Sequence, residues 1–108
     1  MITIGPYTAG EIPPPVVYQF LNSAGTAITL TGYTVKFLYR VGSATAVTRD
    51  ATLDNGATGT VSYTWVVADL ATAGNVTGEF VVGNATNRYG SERLSWVILE
   101  PVTTYPSV

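Results

Sequence analysis

A chain of 108 residues with no Cys, no His and a formal net charge of −2 has the size of one domain, and its core needs neither disulfide nor metal. It lacks a thiolate nucleophile, a zinc thiolate site, the commonest general base and the commonest transition-metal ligand. Its five basic residues, Lys36, Arg40, Arg49, Arg88 and Arg93, are scattered, which argues against nucleic-acid binding through a clustered positive surface.

Residues 1–15 read as an extended arm or edge strand with a Pro-rich link. Gly5-Pro6, Gly10 and the run Pro13, Pro14, Pro15 forbid a helix and favour polyproline II. Two readings stay open. In one, residues 1–4 are a first edge strand joined by a stiff link to the body. In the other, the arm docks on a neighbouring subunit through Tyr7, Ile12, Pro13, Pro14 and Pro15. The first residues have neither a basic start nor a long apolar stretch, so a secretory signal is not expected and a cytoplasmic site of synthesis is. No apolar run approaches the roughly 20 residues of a membrane helix.

Residues 16–21 are a strand by β-branched and aromatic content, with Val16, Tyr18 and Phe20 on one face. A turn cluster at residues 22–25 leads to a short extended piece at 27–30, and Thr31-Gly32 breaks the chain. Residues 33–40 are a strong strand: Val35, Phe37 and Tyr39 point inward, Lys36 and Arg40 outward, and Leu38 suggests a partly covered outer face. Residues 46–53 form a weaker strand with Val47, Ala51 and Leu53 in phase. Arg49 shares that phase, which argues for an edge position where its charge reaches water.

After a turn at residues 54–59, Val61, Tyr63 and Trp65 alternate with Thr60, Ser62 and Thr64, the period-2 signature of a half-buried strand. Val66 and Val67 extend it. Residues 68–73 are the helix candidate, with Asp69 as N-cap and Gly74 as the C′ stop. Residues 75–82 are a strand with Val76, Phe80 and Val82 in phase. Gly78 in the same phase suggests a bulge or close approach by an aromatic ring, Trp65 or Trp96. Turns at residues 83–87 and 89–90 precede the last strand, residues 94–99. Its Leu94, Trp96 and Ile98 share one face, and Val97 and Leu99 on the other suggest double burial or pairing inside a sheet. Pro101 ends it, and residues 101–108 read as a C-terminal tail.

About seven strands separated by turn signals predict an all-β antiparallel β-sandwich over residues 16–100, with one short crossover helix and extended N- and C-terminal arms. Phe37, Tyr63, Trp65, Phe80 and Trp96 are the expected core. Each buried aromatic adds about 4–6 kcal/mol of gross burial free energy, most of which conformational entropy cancels.

The acids offer little chemistry. Glu79 and Glu92 are the best candidates for a paired-carboxylate site, but acids on strand surfaces are mostly solvated. Asp50, Asp54 and Asn55 cluster near one turn without the spacing of a calcium loop. Lys36 reads as a surface strand residue rather than an activated amine. Asn75-Val76-Thr77 and Asn84-Ala85-Thr86 match the glycosylation sequon, as chance matches do in a Thr-rich chain. Neither an enzyme nor any cofactor or metal is expected. Tyr7, Tyr89 and Tyr105 are candidates for contact with sugar or protein. A surface poor in Lys and Glu and rich in hydroxyls suits a protein held against neighbours in an assembly.

The order of motifs resembles a family of tailed-bacteriophage virion domains. Residues 28–37, Ile-Thr-Leu-Thr-Gly-Tyr-Thr-Val-Lys-Phe, are similar to its opening. Gly59-Thr60-Val61-Ser62-Tyr63-Thr64-Trp65, then Asp69 to Gly74 with Gly78-Glu79-Phe80, and finally Trp96-Val97-Ile98-Leu99 resemble its later strands. The family comprises the immunoglobulin-like N-terminal domains of baseplate upper proteins and small standalone capsid or tail accessory proteins. The resemblance covers about residues 16–100 and implies an immunoglobulin-like form of that sandwich and no catalytic residues. It implies a virion structural protein assembled in the host cytoplasm. Capsid decoration or a minor capsid role leads over a tail, baseplate or connector accessory role, because no stem or receptor-binding domain follows. Expected partners are the major capsid protein or tail and connector proteins, with a homo-oligomer or many symmetric copies and neither nucleic acid nor membrane. A carbohydrate-binding or host-adhesion module using Tyr89 is the alternative of a different class.

Overall fold

Among the described residues, alternating apolar and polar side chains produce ten strands in two sheets. The computed structural model describes residues 2–100; the expected tail at 101–108, with Pro101 and Tyr105, lies outside the described residues. The strands are β1 (Ile2–Thr3), β2 (Tyr7–Thr8), β3 (Val16–Gln19), β4 (Thr34–Val41), β5 (Val47–Asp50), β6 (Thr52–Asn55), β7 (Thr60–Tyr63), β8 (Gly74–Gly83), β9 (Arg88–Gly90) and β10 (Leu94–Leu99). The larger sheet runs β1-β10-β8-β4-β5, with β2 also on β10 and β9 also on β8; the smaller runs β3-β7-β6. The long β8 carries β4 along one side, and β10 and β9 share its other side. The result is an all-β sandwich.

Apolar side chains of both sheets fill the space between them. Phe37 lies at the centre with no exposed surface. Its ring stacks on Tyr63 of the facing sheet at 4.6 Å and also meets Trp65, Phe80 and Trp96. All five of these aromatics are buried. The ring that lies over Gly78 is Trp96: a Cβ at residue 78 would sit 2.8 Å from Trp96 Cη2 and 2.9 Å from the Leu38 carbonyl. Gly59, at φ +68°, turns the chain into β7, where a Cβ would meet the Ile28 carbonyl at 2.5 Å.

Several expectations need correction. Residues 46–53 are not one strand: β5 pairs with β4 in the larger sheet, and β6 pairs with β7 in the smaller. The chain changes sheets at Ala51, whose N–H donates to the Val35 carbonyl. The phase of side chains survives this step, so alternation alone does not disclose it. The strand after residue 60 ends at Tyr63. Val66 and Val67 do not extend it; they are exposed at the start of a 3₁₀ turn, Val67–Leu70. That turn replaces the crossover helix. Residues 27–30 form only an isolated bridge, Ala27 to Leu21. Tyr89 and Gly90 belong to β9 rather than to a turn. Val97 and Leu99 are 40% and 48% exposed, so β10 is paired on both edges but not buried on both faces. The sandwich is not wholly antiparallel either, since β1 and β2 both join β10 in parallel.

Candidate protein-contact surface

The N-terminal segment divides into a docked part and an exposed part. Ile2 and Ile4 pack against the core, held by backbone bonds from their N–H groups to the carbonyls of Arg93 and Ser95. Tyr7 on β2 meets Trp65 edge-on, with ring centres 5.5 Å apart. Burial, and secondarily the charge of Glu11, pushes its phenol pKa up. Residues 2–9 thus close the larger sheet of their own domain. The exposed part begins at Ile12, which is 61% exposed; Pro14 and Pro15 are exposed and Pro13 half-buried. The five residues expected to form one contact arm are therefore not one unit.

Ile12 has apolar company. The N–H of Ala9 donates to the Leu99 carbonyl at 2.8 Å, and that of Gly10 to the Leu70 carbonyl at 2.9 Å. These bonds bring the start of the link, the 3₁₀ turn and the end of β10 to one end of the sandwich. Ile12, Val66, Val67 and Leu99 are all exposed there. Water contact by exposed apolar side chains is unfavourable, and several of them at one end of a domain make a candidate interaction surface.

Asp69, 2% exposed, is the buried charge of the described residues. Its Oδ1 accepts from Tyr39 Oη at 2.8 Å and Arg49 Nε at 3.1 Å. Its Oδ2 accepts from Tyr63 Oη at 2.5 Å and the Val66 N–H at 3.0 Å. Four donors occupy the carboxylate, so it is a structural tie rather than a base. Asp69 therefore does not cap from the N-cap position. It sits inside the 3₁₀ turn and reaches back to Val66. Burial, then the bond to Asp69, pushes the Tyr39 and Tyr63 phenols up. The signal in the sequence was Arg49, an inward-phased charge that needs an acidic partner.

Several of the other candidate acids are engaged locally. Lys36 pairs with Asp50 and holds its carboxyl below the usual range. Asp54 accepts from Ser62 Oγ at 3.0 Å, and Asn55 Oδ1 accepts from the Ala57 N–H of its own turn. Among the described residues no group of three or more His, Cys, Asp or Glu is placed to hold a metal. Glu79 lies on β8, and Glu92 lies between β9 and β10. A shallow cleft of about 200 Å³ on the larger sheet gathers Leu38, Arg40, Thr77, Glu79 and Arg93. Tyr89, 36% exposed, stacks on Tyr33 at 6.0 Å, and the Tyr33 hydroxyl accepts from Asn87 Nδ2 at 3.3 Å. Among the described residues no helix is long and apolar enough to cross a membrane. No protein-family model matches this chain, and no curated protein matches it in sequence.

Proposed function

We propose that this domain is a bacteriophage virion structural protein, a capsid decoration or minor capsid protein that sits on the assembled particle. The observation that carries the reading is the exposed apolar group Ile12, Val66, Val67 and Leu99 at one end of the sandwich. Such a surface gains by burial against a neighbour. Repetition over many equivalent sites turns weak single contacts into firm attachment. The motif order that resembles phage virion domains supplies the class of neighbour. The test is sedimentation with purified particles, which should carry the domain in a symmetric copy number. The Ile12→Ser/Val67→Ser double variant should be depleted from them while keeping its circular dichroism. Association with purified tails and not heads would favour the tail or connector placement, and association with neither would end the virion reading.

The stacked pair Tyr33 and Tyr89 favours a second reading, a carbohydrate-binding module, because exposed aromatic faces suit sugar rings. Glycan-array binding lost on Tyr89→Ala would support it.

A further inference from the structure

Among the described residues, the smaller sheet ends on one side at β3, which pairs only with β7. The direction of its backbone groups follows from the register. Phe20 N–H donates to the Gly59 carbonyl at 2.9 Å, continuing the pairing of Val16 with Tyr63 and Tyr18 with Val61. Residues of an antiparallel strand alternate in the side to which their N–H and C=O point. Val16 and Tyr18 therefore bond toward β7, as does the Phe20 N–H, while the Phe20 carbonyl accepts from the Ile28 N–H. Val17 and Gln19 present theirs to the open edge, and so does Leu21 just beyond β3, whose bridge to Ala27 is made by the flanking groups of Phe20 and Asn22. The side chains of Val17, Gln19 and Leu21 are exposed as well, Val17 at 63% and Leu21 at 49%.

Protein edges are normally guarded by charge, brevity or proline. The other edges of this sandwich are guarded. β5 carries Arg49 and Asp50, β6 carries Asp54, β9 carries Arg88, and β1 and β2 have two residues each with Gly5-Pro6 between them. β3 has no such guard beyond the prolines that precede it. No charged residue occurs from residue 12 to residue 35, nor from residue 55 to residue 68, which includes the neighbouring β7.

We propose that β3 is a self-pairing edge, joining β3 of a second copy antiparallel about a two-fold axis at Gln19. In this register Val17 faces Leu21 of the second copy, Gln19 faces Gln19, and Leu21 faces Val17. Every facing pair consists of residues whose backbone groups point outward, so six N–H to carbonyl bonds form. The exposed apolar side chains meet each other, and the two uncharged Gln19 residues, each with its Nε2 bonded to its own Thr58 carbonyl, flank the axis. The edge is complementary to itself, as a closed two-fold contact requires, and the two smaller sheets become one continuous six-stranded sheet. A second copy is the fitting occupant because both strands must be uncharged and apolar at the same two offsets. This pairing does not depend on the virion reading.

The test is sedimentation velocity of the full chain over a concentration series, with amide hydrogen exchange at low and high concentration. The wild type should shift from monomer to dimer, and the N–H groups of Val17, Gln19 and Leu21 should exchange more slowly in the dimer. Val17→Pro deletes an outward N–H without touching the bonds to β7. Gln19→Lys sets two like charges at the axis and removes one exposed bond, from Gln19 Nε2 to the Thr58 carbonyl; Gln19→Ala removes the same bond without adding charge, so it is the folded comparison. Val17→Pro and Gln19→Lys should each weaken association about tenfold or more with unchanged circular dichroism. A wild type that stays monomeric throughout, or a Gln19→Lys variant that dimerises like wild type, overturns the proposal. A domain that dimerises but never joins particles keeps this proposal and sinks the virion one; a monomer that joins particles does the reverse.

Discussion

Arg49 reaches from edge strand β5 into the sandwich and donates through Nε to Asp69 Oδ1, 3.1 Å away. The carboxylate is fully enclosed, while the arginine side chain keeps 36% of its surface exposed. The pair ties the edge of the larger sheet to the 3₁₀ turn that follows β7. Tyr39 from the larger sheet and Tyr63 from the smaller bind the same carboxylate, so one acid fastens both layers.

Removing that acid should be costly. Asp69→Ala leaves two buried hydroxyls and the Val66 N–H without their acceptor, and a stability loss of about 3–5 kcal/mol is expected. Arg49→Ala should cost only about 1 kcal/mol, since the guanidinium is partly in water and three donors still hold the carboxylate. Urea unfolding followed by tryptophan fluorescence measures both. An Asp69→Ala variant as stable as wild type would show that the tie contributes nothing.

The raised phenol pKa values of Tyr39 and Tyr63 make stability fall at alkaline pH. A phenol raised in the fold keeps its proton when the unfolded chain, with a pKa of about 10, has lost it. The contribution is complete below pH ~10 and is lost as pH rises toward the folded value. Stability should drop steadily above pH 10, and Tyr63→Phe should flatten the drop. Chemical unfolding at a series of pH values from 8 to 12 reads the slope.

Gly78→Ala should destabilise by about 1–3 kcal/mol, because its methyl would meet both the Trp96 ring and the Leu38 carbonyl. The backbone carbonyl is fixed within the β4–β8 pairing, so the indole must move. A shift in the tryptophan emission maximum should accompany the loss.

Deleting residues 1–12 should lower the melting temperature, not merely remove a contact arm. It strips β1 and β2 from β10 and uncovers Trp65 by removing Tyr7. A loss of about 2–4 kcal/mol, roughly 10–20 °C for a domain this size, is expected. An unchanged melt by circular dichroism would show that the segment is not part of the folded unit.

The contrast between Trp65 and Arg49 shows what could be read in advance. Local alternation states only whether a side chain points in or out. That was enough to mark Phe37, Tyr63, Trp65, Phe80 and Trp96 as core and to identify two apolar layers. It also put Arg49 in phase with the apolar residues of an edge strand, with its charge expected in water, yet its partner lies 20 residues away on a turn that no periodicity describes. The sheet change at Ala51 was invisible for the same reason, because the phase continues while the pairing partner changes.

The chain by itself therefore determined the class of fold and the composition of its interior, since burial of alternating apolar residues is a local demand that each strand states alone. Only the tertiary structure decided which strands became neighbours, that β3 forms an edge among the described residues, and how Asp69 came to be satisfied. Those outcomes depend on hydrogen bonds between distant segments, and such bonds have no signature within either segment.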